Sequence, residues 1–219
     1  MVTYDQVKND RAIRAYIASS DDSLRALGYT EHSFAHVAAV AERVGDILTE
    51  LNYGERMAEL GRIAGFMHDI GNLVNRSEHS QSGAVMAFRI LDNMGMEPEE
   101  IALIVTAIGN HDEGTGVPVN ALAAALILAD KSDVRRSRVR NKDDIKNDIH
   151  DRVNFSVVDS GFALDVAAKT VTLSLEIDTE ISSLIDYFVI FTERMELCKS
   201  AAEKLGLSFK LKINGQSFI

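Results

Sequence analysis

Four histidines and two aspartates fall where a folded chain ordinarily keeps apolar side chains, and they constrain this 219-residue sequence more than any other feature. Residues 31–52 carry Phe34, Val37, Val40, Val44, Ile47, Leu48 and Leu51 at the period of an amphipathic helix, with Thr30 as its N-cap. His36 shares the core face of that helix with Val40, Val44 and Ile47. A second helix over 55–69 carries Met57, Leu60, Ile63, Ala64 and Met67 and ends on His68 and Asp69, with Gly71 at the C-cap position. His79 opens a third helix over 79–94, on the side of Gly83 and Met86. A fourth starts at Glu97, with Pro98 in its first turn and Glu97, Glu99 and Glu100 at the positive end of the dipole. It leads to His111, which follows Ile101, Ile104, Val105 and Ile108 at helical steps. Asn120 to Asp130 is apolar on all sides and predicts a buried helix that ends in a carboxylate.

A buried histidine can be satisfied by one hydrogen bond. An unpaired carboxylate on an apolar face costs several kcal/mol, so something positive should meet Asp69 and Asp130. Basic residues are scarce in these helices and lie mostly off their apolar stripes. Imidazoles and carboxylates together satisfy a divalent transition metal without thiolates. The single cysteine, Cys198, excludes an internal disulfide and a cysteine-rich metal site.

The remaining composition sets the frame. Hydrophobic residues make up 46% and charged residues 26%, as in a soluble globular chain of one large domain or one domain with an appendage. A net charge of −10 argues against a protein that coats nucleic acid or an anionic membrane. The longest apolar run, Ala121 to Ala129, is far short of the ~20 residues of a membrane span. With no disulfide and no apolar leader, a cytoplasmic location is expected. After about residue 156 the hydrophobic period changes from 3.6 to 2. Residues 171–177 and 207–213 alternate as half-buried strands, and Phe162, Leu164 and Val166 suggest a third. Between them Thr179 to Leu205 predicts a long helix with Ile181, Leu184, Ile185, Phe188, Phe191 and Met195 on its apolar face. The fold class expected is therefore mainly α, a helical domain over residues 1–155 followed by a small β-β-α-β unit over 156–219. The long helix most simply packs on its own strands, with cover of the helical body or a homodimer interface left open.

The ordered set His36, then His68-Asp69 in the run HDIG, then Asp130 in LADK, resembles the HD superfamily of metal-dependent phosphohydrolases. His79 in EHSQSGA and His111 in AIGNHDEG resemble the extra histidines of its two-metal members. The resemblance covers about residues 30–140. It implies a central site in which His36, His68, Asp69 and Asp130 bind one ion, and His79 and His111 a second, with Asp69 bridging. Fe or Mn are the first metals it implies, one or two ions per chain, acting on a small phosphorylated substrate. The stretch Ile70 to Asn75 lacks the acidic pair of the alarmone hydrolases, and the Gly-Tyr-Pro run of cyclic-dinucleotide phosphodiesterases is absent. The pattern HDIGN, HSQSGA, AIGNH and ADK is similar to the symmetrical diadenosine tetraphosphatase branch, with Asn72 in place of its lysine.

Other residues stand near this set. Six basic residues and one acid lie between Lys131 and Lys142. Lys131 and Arg135 are one turn apart at the expected mouth of the site and suit phosphate contacts, whereas Arg138 to Lys142 read as a solvated loop. His32, one turn before His36, is within reach of substrate; His150, among charges, reads as surface; Asp112 and Glu113 could support the site as acid or base. Three functions fit the pattern: a phosphohydrolase acting on a nucleotide or other phosphate ester or anhydride, a di-iron oxygenase of the same ligand order, and a non-catalytic nucleotide-sensing module.

Overall fold

The computed structural model describes residues 1–140 and 149–219. Seven helices form the first 131 residues: α1 (Tyr4–Asn9), α2 (Arg11–Ala26), α3 (Phe34–Glu50), α4 (Glu55–Met67), α5 (His79–Asn93), α6 (Pro98–Gly109) and α7 (Ala121–Lys131). Ser33, not Thr30, caps α3, its hydroxyl accepting from the Ala35 N–H, so that helix begins three residues later than its periodicity suggests. α4 ends at Met67, and a 3₁₀ turn (Ile70–Leu73) follows. The helix-ending role expected of Gly71 is thus corrected: Gly71 lies inside the 3₁₀ turn, where a Cβ would meet the His79 carbonyl oxygen at 2.0 Å and the Gly83 nitrogen at 2.4 Å. It is glycine because the turn presses on the backbone of α5. α7 is buried along its whole length and packs against α3, α4, α6 and α9.

After the short helix α8 (Ile149–Ser156) come β1 (Val157–Asp165), β2 (Thr170–Ile177), α9 (Leu184–Lys204), β3 (Ser208–Ile213) and β4 (Gln216–Ser217). β1 and β2 pair antiparallel, β2 and β3 parallel across the α9 crossover, and β3 and β4 antiparallel. Val171, Leu173, Leu175, Ile177, Phe209, Leu211 and Ile213 alternate inward, the period of two read from the sequence. β4 adds a strand to the expected β-β-α-β order; Asn214 and Gly215, both at positive φ, form the tight turn that returns the chain.

α9 departs from its sequence pattern in two ways. It starts at Leu184, capped by the Ser183 hydroxyl, so Ile181 precedes it. Its buried stripe is Tyr187, Phe191, Met195, Cys198, Ala201 and Ala202, while Ile185 is 74% exposed. The stripe serves two neighbours at once, because α9 packs on α7 as well as on its own sheet. Nearly all the buried apolar side chains form one contiguous cluster that runs from α1 to β3. Among the described residues, no helix is long and apolar enough to cross a membrane.

Candidate metal centre

The site is assembled from helix ends. Gly65 lets α3 and α4 meet backbone to backbone, since a Cβ there would lie 2.7 Å from the Ala41 Cα. That contact faces His36 near the start of α3 toward His68 at the end of α4, with ring centroids 5.2 Å apart. α7, driven inward by its apolar surface, carries Asp130 in its last turn beside them. Arg43 anchors that end, donating to the Ala129 carbonyl at 3.3 Å and the Ser132 hydroxyl at 3.0 Å. The 3₁₀ turn seats the first residue of α5, His79, against the same point, and His111 enters just beyond α6, its ring centroid 5.1 Å from that of His79.

Each of the four imidazoles is turned the same way. Nδ1 of His36 lies 2.7 Å from the Asp133 carboxylate. Nδ1 of His68, His79 and His111 faces the carbonyl oxygens of Gly65 (2.7 Å), Arg76 (3.2 Å) and Ile108 (2.6 Å). A carbonyl only accepts, so those Nδ1 atoms carry the proton and leave Nε2 as a lone pair. All four Nε2 atoms point inward. His36 Nε2 is 3.3 Å from Asp130 Oδ1, and His68 Nε2 is 3.3 Å from Asp69 Oδ2. His79 Nε2 is 3.3 Å from Asp69 Oδ1 and 3.3 Å from His111 Nε2. Two lone pairs aimed at each other repel unless a cation stands between them. Asp69 thus faces His36 and His68 through Oδ2 and His79 through Oδ1.

His36 Nε2, His68 Nε2 and Asp69 Oδ2 are buried with no hydrogen-bond partner. Orphaned acceptors at one point cost several kcal/mol and call for a shared positive partner. The ligand atoms of His36, His68 and Asp130 lie within 4.8 Å of one another, as do those of His68, Asp69 and His111, and those of His79, His111 and Asp112. The donor set fits a divalent transition metal. The ionisation balance agrees. Burial opposes the His68 imidazolium, but Asp69 and Asp130 outweigh burial and push the group up to about 10. Lys131 meets Asp130 at 2.8 Å, whereas Asp69 draws its positive partner from the imidazoles around it. Burial, with His68 and Lys131 nearby, pushes His111 down to about 3, the neutral ligating form. Burial works against the Asp130 carboxylate, yet Lys131, His36 and His68 hold it well below its ordinary range.

The family comparison matches residues 29–140 to the HD domain, over half of the chain. The chain belongs to the HD domain family. A crystal structure of a predicted HD superfamily hydrolase from an uncultured Thermotogales bacterium is similar over 57% of this chain and 68% of that one, with 23% identity and a TM-score of 0.45. Among curated proteins nothing matches.

Around the HD site lies a cleft of about 340 Å³, lined by Asp69, His79, His111, Asp130, Lys131 and His32 on the helical side. His32 Nε2 stands 4.0 Å from Asp69 Oδ2, its Nδ1 on the Thr30 carbonyl at 2.8 Å. Burial keeps this ring neutral. Lys131 lines the cleft, but its ammonium faces Asp130 at 2.8 Å, Glu113 at 3.1 Å and Asp112 at 3.6 Å, so carboxylates occupy it rather than leaving it for phosphate. Arg135 pairs with Asp133 at 2.6 Å and is not among the cleft-lining residues. The solvated-loop reading of Arg138 and Arg140 also fails. Arg138 is buried against the carbonyls of Glu31 (2.9 Å) and Asp133 (2.8 Å), and Arg140 pairs with Asp21; Lys142 lies outside the described residues. His150 is exposed as expected, and it also borders the cleft.

Three features escaped the sequence reading. Asp133, behind His36, was marked only by being the lone acid among basic residues at i+3 from Asp130. Arg76, whose Nη1 lies 3.3 Å from the Asn72 amide oxygen, lines the cleft. So does Arg194 on α9, brought there by the packing of α9 on α7, which no local pattern encodes.

Proposed function

We propose that the chain is a metal-dependent phosphohydrolase that cleaves a nucleotide or another phosphate ester or anhydride. The observation that carries this is the common orientation of four imidazoles, each tied through Nδ1, with Nε2 of His36 and His68 facing Asp69 and Asp130, Nε2 of His79 facing Asp69, and Nε2 of His111 facing Nε2 of His79. His36, His68, Asp69 and Asp130 would hold one ion and His79 and His111 a second, with Asp69 offering Oδ2 to the first and Oδ1 to the second. Fe or Mn suits these donors. Bound there, the metal would lower the pKa of a water and neutralise phosphate oxygens.

The chain's own residues prepare that chemistry. Asp133, 2.7 Å from Nδ1, fixes the orientation of the His36 ring, the usual service of a carboxylate behind a ligating histidine. Lys131 holds Asp130 through Oδ2, which frees Oδ1 to face His36 and His68. Asn72, at the position where the diadenosine tetraphosphatase-like branch carries lysine, donates to Asp69 Oδ1 at 3.0 Å and steadies the bridging carboxylate. That exchange of a cation for an amide argues for a relative of the branch with a different phosphorylated substrate. His32, neutral at the cleft edge, presents Nε2 as a proton acceptor.

Phosphate release from a panel of nucleotides and phosphate monoesters tests the reading. Activity with at least one class should vanish with EDTA, return with Mn²⁺ or Fe²⁺, and be absent in Asp69→Ala. Release that survives both EDTA and Asp69→Ala would refute it.

A further inference from the structure

Arg194 stands on α9, in a segment beyond the matched HD residues, and faces the cleft beside Phe191 and Ile190. Its Nε donates to Glu113 Oε1 at 2.7 Å. Its guanidinium lies over the Phe191 ring, 4.3 Å from the centroid. These contacts hold the plane of the group from behind. Among the described residues its two Nη atoms donate to no protein acceptor, and the side chain is 23% exposed. A planar fork braced at one edge and open at the other matches the two oxygens of a phosphate. Glu113 shares its single charge with Lys131, which leaves Arg194 only partly compensated. A chain of three ion pairs, Arg194–Glu113, Glu113–Lys131 and Lys131–Asp130, links Arg194 to the carboxylate at the centre.

We propose that Arg194 is a specificity-determining residue, gripping a second phosphate of a substrate whose first phosphate lies at the metal centre. The inference rests on the phosphohydrolase reading. It gives the C-terminal unit a role in that reaction: α9 closes one side of the cleft and selects compounds with two phosphate groups over simple monoesters. Lys131 cannot take this part, because three carboxylates engage its ammonium.

Isothermal titration of the full, metal-loaded chain with inorganic phosphate and with pyrophosphate tests it, metal content being checked after each titration. A charge-assisted pair of hydrogen bonds corresponds to roughly 10- to 100-fold in affinity. The wild type should prefer pyrophosphate by at least that range. Arg194→Gln should lose the preference while keeping its affinity for phosphate, and Arg194→Lys, which restores charge without the fork, should recover it only in part. Arg89→Ala, on the exposed face of α5, should leave both affinities unchanged. Circular dichroism identifies a misfolded Arg194→Gln, in which case Arg194→Lys alone carries the comparison. A preference that persists in the folded variants overturns the role of Arg194 and leaves the phosphohydrolase reading standing. Failure of the wild type to bind either anion overturns both.

Discussion

Replacing Gly71 by alanine tests how the fold aims the centre. The added Cβ would sit 2.0 Å from the His79 carbonyl oxygen, 2.4 Å from the Gly83 nitrogen and 2.7 Å from the Ser82 hydroxyl. Two of these are backbone atoms of α5 and cannot rotate away. Relief to an ordinary contact needs a displacement of roughly 1 Å, and overpacking of this kind costs about 2–3 kcal/mol. For a chain of this length each kcal/mol lowers the thermal midpoint by about 2–4 °C, so the variant should melt roughly 4–12 °C lower. The movement falls on the turn that carries His79, whose Nε2 is 3.3 Å from Asp69 Oδ1. His36 and His68 are held by Gly65 and Asp133 on other elements. Metal analysis of Gly71→Ala should therefore show the His79–His111 side depleted while the His36–His68 side stays loaded. An unchanged thermal midpoint with full metal content would refute the steric account.

Asp133→Asn removes the carboxylate behind His36 and should weaken metal binding roughly 10- to 100-fold, read by competition with a chelator; unaltered affinity would contradict the bracing role. The Arg56 guanidinium, hydrogen-bonded to Glu100 at 2.6 Å, holds that carboxyl below its ordinary range. A depressed folded pKa stabilises above the unfolded value and loses its effect as pH falls through the folded one. The gap in thermal midpoint between wild type and Glu100→Gln should thus be full at neutral pH and close below about pH 4. A gap that persists at lower pH would place the effect in packing instead.

The convergence of these side chains was legible in the sequence because helix periodicity assigns faces, and His36, His68, His79, His111 and Asp130 each lie on an apolar stripe or at one end of it. Asp69 was legible for a different reason, as a carboxylate with no local cation. The cleft walls were not legible. Lys131 and Arg135 share a helical phase, yet Ser132 ends α7, and beyond it the chain turns Arg135 onto Asp133. Arg138 was read as solvated from its neighbours' charge, but carbonyls of Glu31 and Asp133, one of them 107 residues away, bury it. Arg194 carries no local signal at all, since its partner Glu113 lies 81 residues earlier. Periodicity reports which way a residue faces on its own element; it is silent on which element comes to meet it. The same limit explains α9, whose stripe rotates from Ile185 toward Tyr187 because it must satisfy α7 and a sheet together.

Metal content by inductively coupled plasma mass spectrometry, on protein purified without a metal-affinity tag, tests the central claim most directly. Wild type should carry close to two transition-metal ions per chain, and Asp69→Ala, which removes the oxygens facing both histidine pairs, should lose both. A wild type that stays empty after reconstitution with Mn²⁺, Fe²⁺, Co²⁺ and Zn²⁺ would contradict the account.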